Sequence, residues 1–110
     1  GRTMKKAPLP AGLKTETVPS ALFSYDAREE HPDVTAINVT HILDVVIPGY
    51  WSMNLRERPD YTTSRTLVAS WCEAHGAHYY AKDREDFSLY EAAREAVDKG
   101  LTRMVYEDLS

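Results

Sequence analysis

The chain carries a single cysteine, Cys72, in 110 residues. That excludes an internal disulfide and fits a reducing compartment. It also lacks any apolar run near the roughly 20 residues that a membrane helix needs. The longest greasy stretch, residues 42–47, is broken by Asp44 and closed by Pro48-Gly49. The five glycines stand apart at 1, 12, 49, 76 and 100, so no glycine-rich loop is present to cradle a phosphate. Met4-Lys5-Lys6-Ala7-Pro8 has no apolar core behind it, and a secretory signal needs one. Gly1-Arg2-Thr3 reads as a cloning remnant. The expectation is a cytoplasmic protein without membrane attachment.

Basic charge is scarce where most of the chain lies. Residues 1–19 hold four bases and one acid, whereas residues 20–110 hold nine bases against sixteen acids. An acidic body argues against broad contact with a phosphate backbone, which needs clustered Lys and Arg. Residues 1–19, with their prolines and few large apolar side chains, are read as a flexible basic arm. Residues 20–110 are read as one globular domain, since a chain of this length can bury its own core.

Hydrophobic period supplies the elements. A short β-prone run covers residues 21–25, and a charged loop follows to Asp33. Residues 34–47 alternate, with Thr35, Ile37, Val39, His41, Leu43, Val45 and Ile47 on one side, which predicts a long central strand. Residues 50–61 are irregular. Leu67, Val68 and Trp71 then fall at helical spacing after the possible caps Asp60, Thr62 and Thr63, with Gly76 as the stop. Residues 77–82 read as a strand. Ser88-Leu89-Tyr90-Glu91 is a capping box that opens a second helix, which ends at Gly100 before a last strand over 101–107. The order β-β-α-β-α-β predicts an α+β or small α/β fold, a two-layer sandwich with helices packed on a mixed sheet, on one face or on both faces. The last three strands should run parallel.

Parallel strands would gather their carboxyl ends at one rim, where open α/β sheets bind ligands. The groups delivered there are Gly49, Tyr50 and Trp51, residues 83–86, and Glu107 with Asp108. Several carboxylates at one rim could hold a hard cation for a metal-assisted hydrolase or nuclease-like reaction, with His41 or His78 as base. Acids before a helix or at strand ends are also ordinary solvated groups. Cys72, His75 and His78 have ligand-like spacing for zinc, with His41 as a further candidate. Each also has a bland role: Cys72 as a small core residue, His75 at a negative helix end, His78 as a strand residue beside tyrosines, and His41 as a hydrogen-bonded core or interface histidine. No metal or cofactor is therefore assigned. Ser64, Thr66 and Ser70 lack a nucleophile elbow, and Trp71-Cys72 lacks the second cysteine of a dithiol site.

What remains is residues 50–61, which carry Tyr50, Trp51, Met53, Arg56 and Arg58. Aromatic, Met and Arg side chains are the types enriched at protein interfaces. Alternatively, Trp51, Met53 and Leu55 form a further strand whose apolar face joins the core. The reading taken forward is a small protein-binding or assembly module, self-associating, that uses Tyr50, Trp51, Met53, Arg56 and Arg58. The residues leave open whether it is an enzyme.

Overall fold

Residues 34–47 divide into two elements. In the computed structural model, which describes residues 7–23, 30–81 and 86–108, strand β2 covers only Val34–Asn38 and helix α1 covers Val39–Val46. The expected long strand is therefore corrected. Val39, Ile42, Leu43 and Val46 lie at i, i+3, i+4 and i+7, a helical stripe that coincides with the alternation. Asn38 decides the switch: its side-chain oxygen accepts the Thr40 N–H at 3.0 Å and caps the helix. The stripe side chains Val39, Ile42 and Leu43 are buried, each worth on the order of 2 kcal/mol of apolar transfer.

The first strand also lies elsewhere. Strand β1 is Glu16–Val18, inside the segment read as an arm, while Ser20–Leu22 forms a 3-10 turn. Residues 24 and 25 of the expected strand fall outside the described residues, as do residues 1–3 and residues 82–85. Leu9 and Leu13 pack against the core. Arg103 fastens this stretch by donating to the carbonyls of Ala7 at 2.8 Å and His75 at 3.1 Å. Isolated Leu and Val among prolines give no period, so sequence alone shows no element there.

The later elements stand as expected. Helix α2 is Tyr61–Ala74, strand β3 Ala77–Tyr80, helix α3 Leu89–Asp98 and strand β4 Arg103–Tyr106. The Asp60 carboxylate caps α2 by accepting the Thr63 N–H at 2.7 Å; the Thr63 side chain, followed by this N–H, lowers the Asp60 pKa. Ser88 caps α3 through the Glu91 N–H. At the other end Leu101 N–H returns to the Ala96 carbonyl and Gly100 N–H to Val97, with Gly100 at φ 75, a Schellman ending.

The sheet order is β1-β2-β4-β3. β1 is antiparallel to β2, whereas β2, β4 and β3 run parallel, with β4 in the centre. This is the expected mixed sheet in an α+β domain; its helices cover both faces, one of the two arrangements left open, so the layers number three rather than two. Ile37, Ala77 and Val105 pack with Val68, Trp71 and Cys72 of α2 and with Ile42 and Leu43 of α1. The alternate residues Ala36, Tyr80, Met104 and Tyr106 pack with Ala92, Ala93 and Ala96 of α3. Small alanines let α3 sit close to the sheet. Among the described residues no helix is long and apolar enough to cross a membrane.

Candidate functional site

Because β2, β4 and β3 are parallel, Asn38, Glu107 and Tyr80 arrive at a common carboxyl edge. Antiparallel β1 starts at this edge, so the residues just before and within it, Lys14 and Glu16, join the same rim. The chain then leaves β2 into α1 on one face and β3 into α3 on the other. Between such diverging connections an open sheet forms a crevice.

A cleft of about 480 Å³ opens beside the β2 end of this edge, between the segment before β1 and the first turns of α1, walled by Lys14, Thr40, His41, Asp44 and Trp51. It adjoins a smaller one of about 220 Å³ that reaches Glu16, Asn38 and Tyr106, with Lys14 and His41 common to both. The Tyr106 hydroxyl donates to Glu16 at 3.0 Å; burial, followed by this carboxylate, pushes its pKa up to about 12. His41 is not in the core of a strand as expected. It sits in the first turn of α1, partly exposed, on the cleft wall.

Residues 50–58 form the outer lip. Tyr50–Ser52 is a 3-10 turn, and no strand carries Trp51, Met53 and Leu55 into the core; of this segment only Tyr50 packs against it. Trp51 donates its indole N–H to the Thr40 carbonyl at 2.8 Å. Arg58 donates to the carbonyls of Tyr50 at 2.9 Å and Trp51 at 3.3 Å. Its guanidinium also lies over both rings, 4.8 Å and 5.2 Å from their centroids. The two rings meet edge to face. Trp51 stays 50% exposed and Leu55 83% exposed, with Arg56 exposed beside them and Met53 half-buried. The lip thus combines a locked backbone with apolar and cationic groups facing water.

The acidic rim has a different character from the one its sequence implies. Glu107 is 1% exposed. One carboxylate oxygen is ion-paired with Arg65 and accepts the Tyr79 hydroxyl at 3.1 Å. The other accepts the Tyr61 hydroxyl at 2.8 Å. Arg65 also lies 4.2 Å from the Tyr61 ring centroid. The Tyr61 pKa is raised, chiefly by donating to Glu107, and that of Tyr79 is raised chiefly by burial and then by Glu107. Asp86 and Asp108 are exposed, and the rim acids at 83–85 lie outside the described residues. Glu107 therefore serves as a neutralised acceptor that ties α2 to β3 and β4. Tyr61 and Arg65 stand four apart on the first turns of α2, a spacing visible in the sequence; their meeting with Glu107, 46 residues from Tyr61, is not.

The zinc candidates are separated. Cys72 is buried on the α1–α2 side, where burial pushes its thiol up to about 12. His75 stacks on Trp71 at 3.8 Å and donates Nδ1–H to the Trp71 carbonyl at 2.7 Å. His78 lies on the opposite, α3, side of the sheet, and its Nδ1 accepts from Lys99 at 3.2 Å. His41 stands at the carboxyl rim. Among the described residues no three His, Cys, Asp or Glu side chains gather as a metal would require. Ser64 is buried and Thr66 bonds back to the Thr62 carbonyl, as helix residues do.

No family model, curated protein or solved structure matches this chain.

Proposed function

We propose that the chain is a small intracellular protein-binding module that pairs with a second copy of itself through residues 50–58. The observation that carries this reading is the lip itself. Trp51 is held in place by its own hydrogen bond and by Arg58, yet half of it faces water, and Leu55 beside it is almost fully exposed. Such a patch loses little side-chain freedom when it is covered, which favours binding. Its charges also suit a copy of itself. Exposed Arg56 and Glu57 are adjacent, so a two-fold arrangement with Leu55 near the axis sets each Arg56 against the other chain's Glu57.

The acidic-rim hydrolase is less favoured, because both Glu107 oxygens are already given to Arg65, Tyr61 and Tyr79. The acidic body likewise disfavours a nucleic-acid partner. Sedimentation equilibrium tests the proposal. A dimer whose Kd rises at least roughly tenfold in Leu55→Glu, with unchanged thermal unfolding of the monomer, supports it. A wild-type chain that remains monomeric at about 300 µM overturns it.

A further inference from the structure

The cleft behind the lip carries charge of both signs on an apolar wall, and that combination defines a ligand class. Lys14, just before β1, and Asp44, in α1, both line the cleft. Neither side chain has a hydrogen bond or ion pair with another described residue. Leu13, Val45 and the exposed part of Trp51 line the space with them. Deeper in, Glu16 is committed to Tyr106 and the Asn38 oxygen to the Thr40 amide. One Glu16 oxygen and the Asn38 oxygen are thus engaged within the chain, whereas Lys14 and Asp44 have no partner among the described residues.

A purely anionic ligand would meet Asp44, and Glu16 behind it. A purely cationic one would meet Lys14. A molecule that carries both an ammonium and a carboxylate satisfies both, while an apolar side chain covers Trp51, Leu13 and Val45. The volume, about 480 Å³, lies within the roughly 300–1,000 Å³ of small-ligand clefts. The cleft lies beside the carboxyl end of β2, between the segment before β1 and the first turns of α1. We infer that this cleft is a binding site for a zwitterionic small molecule, specifically a free α-amino acid with an aromatic or branched aliphatic side chain, its carboxylate at Lys14 and its ammonium at Asp44. The inference does not depend on pairing through Leu55.

The test titrates the free L-amino acids, one at a time, into the full chain and into Leu55→Glu, following tryptophan fluorescence and heat of binding. Using both proteins separates this site from self-association. The expected result is saturable one-site binding of at least one aromatic or branched aliphatic amino acid to both proteins, with Kd at or below about 1 mM. The N-acetyl and amide derivatives, each lacking one charge, should bind at least roughly tenfold more weakly. Asp44→Asn should remove the discrimination against the N-acetyl form, and Lys14→Met that against the amide. Absence of saturation by any amino acid at about 10 mM overturns the inference. So does equal binding of the capped forms, or binding unchanged in both Asp44→Asn and Lys14→Met.

Discussion

Glu107 shows how one buried charge is made tolerable. A carboxylate taken from water costs several kcal/mol unless its oxygens are filled, and here a cation and two phenols fill them. Breaking the set from one side should therefore cost more than removing the charge. Arg65→Ala is expected to lower urea-unfolding stability by about 3 kcal/mol. Adding Glu107→Gln to it should recover part of that loss, because no uncompensated carboxylate remains. Additive losses in this cycle would mean that the two side chains do not interact. Four phenol and thiol groups, two of them beside Glu107, set the alkaline limit. Tyr61 and Tyr79 are held protonated above the ordinary phenol range, Tyr106 is pushed up to about 12, and buried Cys72 also to about 12. A raised folded pKa means that the stabilisation is complete below the unfolded value and is lost as pH rises towards the folded one. Chemical-denaturation midpoints should thus hold steady up to about pH 8 and then fall between about pH 9 and 12. A Cys72→Ser variant should delay the onset of the fall. The Glu107 set was half legible from sequence: the Tyr61–Arg65 spacing is local, whereas an acid after the last strand reads as solvated until α2 is seen lying over it.

Among the elements, legibility followed whether the stop and start signals were local. α3 was readable because Ser88, Glu91 and Gly100 act within a few residues of its ends. α1 was hidden because β-branched residues satisfy period two and the helical stripe at once, and only the Asn38 cap distinguishes them. β1 escaped because an edge strand of three residues, Glu16–Val18, exists only through its pairing with β2. The Gly100 ending offers a clean test of the local kind. Its φ is 75 and a Cβ there would meet nothing within 4 Å, so backbone strain alone would oppose a side chain. Gly100→Ala is expected to cost about 1 kcal/mol in unfolding free energy, and Gly100→Asn less, since Asn tolerates the left-handed region. Equal stability of the alanine variant would show that the chain ends α3 some other way.

At the scale of the whole molecule, the parallel β2, β4 and β3 bring Asn38, Tyr80 and Glu107 to one rim, and the 50–58 lip beside it is the segment proposed to meet a second copy. Composition alone marked this segment, since aromatic and Arg residues crowd it, but only the Arg58 and Trp51 hydrogen bonds show that it is locked outward rather than folded in. If two copies pair about Leu55, Arg56 and Glu57 must face each other across the axis, and reversing one sign at a time tests that geometry without touching the core. Arg56→Glu brings acid against acid, and Glu57→Arg brings base against base; each should weaken the dimer by roughly tenfold or more, because juxtaposed like charges are costly. The double variant restores opposite charges in every pair and should return Kd to within about threefold of wild type. Both side chains are exposed, so monomer unfolding temperatures should not move in any of the three. Rescue by the double variant distinguishes a two-fold pair from head-to-tail contact, in which Arg56 and Glu57 meet different residues and reversing both compounds the damage.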